Sequence, residues 1–187
     1  MIIFMGVAGA GKSVQGRQLA DELGLPWLST GEFLRMLVSG EQRKDMVAGK
    51  LLNDHDIIAL VQKAFSMVDS RREFVLDGFP RTVTQADWLL SQVKHKQLHV
   101  TAVIHLKASE ESVAKRLLAR GRPDDTKEAI KERFVEYRQT MLPILEHFKK
   151  GGIKVYEVNG EQDVDAIHDQ IMSTVKPLIA DEDSTKN

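Results

Sequence analysis

Five short apolar runs with strand character recur along the chain, at Ile2 to Met5, Pro26 to Leu28, Phe74 to Leu76, Ala102 to Leu106 and Val155 to Val158. Each is followed by a stretch of helical periodicity, the alternation that predicts an α/β protein with a five-stranded parallel sheet flanked by helices. The clearest helical pattern runs from about Thr126 to Phe148, where Ile130, Phe134, Tyr137, Met141, Ile144 and Phe148 repeat at steps of three and four. Pro143 lies inside that pattern and is expected to kink or interrupt the helix. A second stripe, Ile57, Val61, Ala64 and Val68, predicts a helix starting near Asp54 or Asp56, both acceptable caps, with core packing as its role.

The chain has 187 residues, enough for one well-packed core, and residues 1–180 read as a single domain. The polar stretch 181–187 is expected to be a disordered tail. A hydrophobic fraction of 42% with 28% charged residues excludes fibrous and disordered classes. With no cysteine, disulfides and thiolate zinc sites are excluded and no structural zinc is expected. The six histidines show no metal spacing. No basic leader precedes the first strand and no apolar run approaches the roughly 18 residues of a membrane span, so the expected location is cytoplasmic. A formal net charge of −1 gives no field that would gather nucleic acid or an anionic membrane, and neither is expected as a partner. Any anion site must be built locally.

One such site is legible. Gly6-Val7-Ala8-Gly9-Ala10-Gly11-Lys12-Ser13 fits G-x-x-x-x-G-K-[ST] and lies between the first strand and a helix ending near Gly24, the context the P-loop NTPase fold requires. Its glycines let successive backbone N–H groups converge on phosphate oxygens, while Lys12 reaches the terminal phosphates and the Ser13 hydroxyl faces Mg²⁺. A plain glycine-rich turn would need the Lys-Ser pair and both flanking elements to coincide by chance. The pattern predicts a nucleotide.

Two further segments narrow the class. Leu28-Ser29-Thr30-Gly31-Glu32-Phe33-Leu34-Arg35 follows the second strand, and Leu76-Asp77-Gly78-Phe79-Pro80-Arg81 with Gln85 follows the third. Here the chain resembles the adenylate kinases, whose "STGD-x-LR" and "DGFPR…Q" segments build the AMP site; it departs from the first at Glu32 and Phe33. Arg116-Leu-Leu-Ala-Arg120-Gly121-Arg122-Pro123-Asp124-Asp125 and Arg133 look like that family's lid and its flanks, and the similarity spans about residues 1 to 175.

The resemblance implies transfer of a phosphoryl group between ATP and AMP, giving two ADP, with Mg²⁺ as cofactor and a monomeric, nucleotide-biosynthetic enzyme. It implies that Gly9, Ala10, Gly11, Lys12, Ser13 and Val14 hold ATP phosphates, with Arg116 and Arg120 flanking ATP and Glu157 offering a backbone carbonyl to adenine. AMP would be held by Thr30, Arg35, Lys50, Leu51, Leu52, Gly78, Phe79, Pro80, Arg81 and Gln85, with Gln85 reading the base. Lys12, Arg81, Arg122 and Arg133 would be catalytic, the last two gripping the transferring group and also touching AMP, and Ser13 and Asp77 would serve the metal. An AMP-binding helical insertion is expected at about residues 30–59 and a very short lid at about 120–126.

Blander readings stand beside these. Arg116 and Arg120 could be a solvated helix face paired with Glu110 or Glu111, and Asp125 with Glu128 three residues on fits a capping box. A UMP/CMP kinase shares the architecture, but those relatives usually carry alanine where this chain has Thr30. A nucleotide-sensing module without turnover is the third reading, favoured by the abbreviated lid. Chemically, the arginine-rich set suffices for transfer, because an AMP phosphate is already largely ionised at neutral pH and needs no general base. Departures remain: Ser13-Val14 replaces the family's usual Gly-Thr, Asn53 a frequent proline, and only Gly121 separates Arg120 from Arg122.

Overall fold

The structure is a computed structural model and describes residues 1–37, 53–69, 72–122 and 125–185. Five strands form one parallel sheet in the order β2-β3-β1-β4-β5: β1 Ile2–Met5, β2 Trp27–Ser29, β3 Val75–Asp77, β4 Ala102–Lys107 and β5 Val155–Asn159. All four β1 residues are buried, because parallel strands covered by helices on both faces have no solvated side. Alternate side chains feed two cores. Ile3, Met5, Leu76 and Val103 pack with α3 (Asp54–Phe65), α4 (Val83–Lys94) and α7 (Leu142–Lys150). Ile2, Phe4, Val75 and Ile104 pack with α1 (Lys12–Leu23), α5 (Glu110–Arg120), α6 (Lys127–Glu136) and α8 (Val164–Thr185). The remaining helix, α2 (Thr30–Leu37), leaves β2 directly.

Strands β2 and β3 lie one residue later than their apolar runs suggest, at 27–29 and 75–77 rather than 26–28 and 74–76. Pro26 and Phe74 lead in, while Ser29 and Asp77, polar but buried, close the strands opposite one another. This shift delivers both to the carboxyl edge of the sheet beside the phosphate loop, where ligands of open α/β sheets bind.

Two local expectations are corrected. Helix α3 is capped by Asn53, whose side chain accepts from the Asp56 N–H at 2.9 Å; neither Asp54 nor Asp56 is the cap. Thr126 caps α6, accepting from Ala129, so Asp125 and Glu128 do not form the capping box. Helix α8 passes through Pro177 and runs to Thr185. The expected interruption near Pro143 takes a particular form: a π turn at Tyr137–Met141, in which the Leu142 N–H reaches back five residues to the Tyr137 carbonyl. Pro143 offers no N–H to the ladder, and the extra residue is absorbed one turn earlier. No helix among the described residues is long and apolar enough to cross a membrane.

Candidate active site

The phosphate loop follows β1, the central strand, and ends in the first turn of α1. Gly11 occupies the helix N-cap with φ 103°, so no side-chain cap competes for the first N–H groups, which face the loop. At Gly9, φ is 91° and a Cβ would lie 2.8 Å from Leu117 Cγ, so the loop can only be wound this tightly against α5 with glycine there. Lys12 Nζ donates to the Val7 carbonyl at 3.0 Å, folding back across the loop it serves. Burial, assisted by the fields of Arg81, Arg120 and Arg133 and opposed by Asp77, lowers its ammonium to about 8.

Ser13 Oγ donates to Asp77 Oδ2 at 2.5 Å, and Ser29 Oγ donates to the same oxygen at 3.4 Å. Thr30 Oγ1 donates to the Asp77 backbone carbonyl at 3.2 Å, binding the start of α2 to the end of β3. Gly78 follows with φ 83°, and a Cβ there would meet Thr30 Oγ1 at 2.8 Å and Arg81 Nη2 at 3.1 Å. Arg81 Nε donates to the Gly78 carbonyl at 2.8 Å. The structure thus brings Lys12, Gly78, Phe79, Pro80, Arg81 and Arg133 around one cavity of about 130 Å³. Its remaining wall comes from β1, from the phosphate loop at Gly6 to Ala8, from Glu136 at the end of α6, and from Tyr137, Thr140 and Met141 of the π turn.

Gln85 is 2% exposed and has both ends of its amide engaged: Oε1 accepts from the Arg81 N–H at 2.7 Å and Nε2 donates to Asp54 Oδ1 at 2.8 Å. Thr82 Oγ1 donates to the same Asp54 oxygen at 2.8 Å. These contacts fix which way the amide points and leave one lone pair and one N–H for another molecule. A smaller apolar cleft lined by Leu28, Thr30, Phe33, Leu60, Val61 and Phe65 lies across β2 and α3.

On the other side of the phosphate loop, Asp125 gathers the arginines. Its fully buried carboxylate accepts from Arg120 Nε at 2.9 Å and Nη2 at 2.7 Å, from Arg133 Nη1 at 3.1 Å and from the Arg122 backbone N–H at 3.2 Å. The hydrogen bonds from Arg120 lead in holding its carboxyl down at about 2, below the ordinary 3.8. Arg120 therefore pairs with Asp125 rather than with Glu110 or Glu111. Arg116, half-buried on α5, is felt by Glu161. The Arg122 residue is exposed. Glu157 lies on β5 with its exposed side chain paired to Lys107 at 3.0 Å, and the turn after that strand abuts the loop: a Cβ on Gly160 would lie 3.2 Å from the Ala10 carbonyl. Ala10 is buried, whereas Val14 is 55% exposed. Arg35 belongs to α2; Lys50, Leu51 and Leu52 lie outside the described residues.

Sequence reasoning missed the structural partners of these groups. Asp125 was legible as a cap and Asp54 as a helix start, but their bonds to Arg120, Arg133 and Gln85 were not. The apolar spacing of Tyr137 and Met141 marked a helix face without revealing that it closes the cavity.

A strand, a phosphate loop and a helix, with Ser13 of α1 bonded to Asp77 at the end of β3, define a P-loop kinase fold. The adenylate kinase family model matches residues 4–153. Among curated relatives, Adenylate kinase 1 of Synechocystis sp. is 37% identical over 185 residues, covering 94% of this chain and 97% of its own. The Adenylate kinase of Corynebacterium aurimucosum is 35% identical over 179 residues, covering 92% and 97%, and that of Methylobacterium radiotolerans is 35% identical over 192 residues, covering 94% and 96%. The chain belongs to the adenylate kinase family.

Proposed function

We propose that this protein is an adenylate kinase: it moves the γ-phosphoryl group of ATP to an oxygen of the AMP phosphate, reversibly, giving two ADP. The observation that carries the reading is the single cavity in which Lys12 meets Arg81 and Arg133. Two polyanions must be brought in line there, and fixed cations offset their repulsion and the charge that spreads over the transferring oxygens. Arginine suits this role because its planar fork grips phosphate at two points and stays charged as water leaves.

In this reading Gly9 to Val14 hold the ATP phosphates and Arg116 and Arg120 flank the nucleotide, with the Glu157 backbone toward adenine. Arg81 and Arg35 hold the AMP phosphate, Gln85 and Thr30 read its base, and Lys50, Leu51 and Leu52 complete that site. Arg122 and Arg133 grip the transferring group. The donors near the loop fit Mg²⁺, since one hydroxyl, Ser13, beside one carboxylate, Asp77, is the sparse oxygen set that a magnesium nucleotide uses. When bound, the ion would neutralise developing charge on the bridging phosphate oxygens. We further infer a short lid over about residues 120–126, an AMP-binding segment over about 30–59, a cytoplasmic location and a monomer, with neither nucleic acid nor membrane as partner.

The test is a nucleotide panel: purified protein with Mg²⁺-ATP and AMP, UMP, CMP or GMP as acceptor, following ADP, together with ATP formation from ADP alone. The expected result is highest kcat/KM for AMP and conversion of ADP to ATP and AMP. A higher kcat/KM for UMP or CMP overturns the acceptor reading, and no ADP conversion overturns the activity. Lys12→Met is expected to lower kcat by roughly 100-fold or more with the fold intact.

A further inference from the structure

Helix α6 packs on one face of the sheet through Ile130 and Phe134, whereas α7 packs on the other through Ile144, Leu145 and Phe148. The π turn between them must therefore carry the chain over the sheet's carboxyl edge, the edge that holds the phosphate loop. A single polar side chain of β4 meets it there. His105, 2% exposed, has Nε2 at 2.7 Å from the Tyr137 hydroxyl, and the two rings lie 6.0 Å apart. Its other nitrogen, Nδ1, is buried and has no hydrogen-bond partner among the described residues. A buried imidazole with one nitrogen unsatisfied is a costly way to fill a core position. An apolar residue would pack the same site without that penalty, so the bond to Tyr137 is the feature the arrangement supplies.

From Tyr137 the connection to the cavity is direct. Its backbone N–H bonds the carbonyl of Arg133, and Tyr137, Arg133 and Lys12 share the cavity wall. Tyr137 also stacks edge-on against Phe134, the core anchor of α6. A π turn is rare and usually occurs as a single turn inside an α-helix, often at a functional site. The bond from His105 anchors this one at its first residue, Tyr137.

We propose that His105 is a positioning residue for phosphoryl transfer: through its hydrogen bond to Tyr137 it fixes the π turn and thereby the placement of the Arg133 guanidinium over the cavity. The inference rests on the assignment of Arg133 to the transferring group. Because ground-state nucleotide binding draws on many other contacts, loss of the anchor acts on the chemical step and leaves binding nearly intact.

The experiment is steady-state kinetics in the ATP-forming and ADP-forming directions for His105→Phe, Tyr137→Phe, the double variant, His105→Gln and Arg133→Ala, each with a thermal melt. Tyr137→Phe removes one hydroxyl and decides the matter if His105→Phe fails to fold. His105→Phe and Tyr137→Phe are each expected to lower kcat roughly threefold to tenfold, with both KM values within about twofold of wild type. The double variant is expected to be no worse than the weaker single, since either change breaks the same bond. His105→Gln, whose amide nitrogen reaches the place of Nε2, is expected to restore most of kcat. Wild-type kcat in both Phe variants overturns the inference while Arg133→Ala still fails. Losses that multiply in the double variant, or absence of rescue by Gln, overturn it as well. Wild-type kcat in Arg133→Ala overturns the assignment of Arg133 and the inference with it.

Discussion

Replacing Asp125 by asparagine keeps its shape and removes the charge that the Arg120 and Arg133 side chains and the Arg122 backbone N–H share. The carboxyl is drawn from 3.8 to about 2, chiefly by hydrogen bonds from Arg120. At about 1.4 kcal/mol per pKa unit this corresponds to roughly 2 kcal/mol of stability at neutral pH. Arg120 keeps 35% of its side chain exposed, so solvent screens part of the pair and the expected loss is about 1 to 2 kcal/mol. For a chain of this size that lowers the melting temperature by about 3 to 6 °C. The folded-state value lies below the ordinary one, so the contribution is complete above about pH 4 and fades as pH falls toward 2. Urea unfolding of wild type and Asp125→Asn at pH 7, 5 and 3 reads both quantities. The gap in midpoint is expected to be full at pH 7 and 5 and about half as large at pH 3. Equal midpoints at pH 7 would refute the stabilising role; a gap of constant size down to pH 3 would show that lost packing, not lost charge, causes it.

Three other outcomes are expected. Gly78→Ala forces a side chain into a positive-φ position against Thr30 and Arg81, and is expected to raise KM for AMP about tenfold or more while KM for ATP stays near wild type; equal changes at both sites would separate Gly78 from the acceptor. Lys12, lowered to about 8 mainly by burial, holds its proton below that pH and loses it above, so ATP affinity measured by calorimetry is expected to fall roughly tenfold between pH 7 and 9, and an equally steep fall in Lys12→Met would refute the attribution. If the short lid excludes water less well than longer ones, slow ATP hydrolysis is expected without AMP, and a rate no greater than that of a longer-lid relative under the same conditions would defeat the idea.

The strands were legible because a sheet buried on both faces writes itself as unbroken apolar runs, as in Ile2 to Met5. Their ends were not, because apolar content cannot distinguish a lead-in residue such as Phe74 from a strand residue, nor reveal that Asp77 extends β3 in register with Phe4. The phosphate loop, the segment from Gly78 to Arg81 and the arginines around Gly121 were legible as local patterns. What each arginine holds was not. Asp125 reaches Arg120 and Arg133 at five and eight residues' distance, and a capping-box pattern offered it a sufficient local role that the structure gives to Thr126. Asp54 meets Gln85 across 31 residues and His105 meets Tyr137 across 32, pairings that periodicity does not encode.

The partners that escaped the sequence share one physical function. Lys12, Arg81, Arg120 and Arg133 converge near one cavity and repel one another; burial and the neighbouring arginines lower the Lys12 ammonium. Each bonds a protein oxygen: Lys12 the Val7 carbonyl, Arg81 the Gly78 carbonyl, Arg120 and Arg133 the Asp125 carboxylate. These oxygens hold the cations close to where phosphates are proposed to arrive, so that binding exchanges one set of charge-assisted bonds for another instead of ordering free side chains. The oxygens differ in charge. Two are neutral carbonyls, whereas Asp125 is charged and buried, so in the proposed site it is expected to stay with its arginines when a nucleotide binds. Asp125 is thus expected to act as a permanent member of the proposed phosphate clamp, not as a competitor to be displaced, so its removal is expected to cost stability instead of releasing arginines for tighter binding.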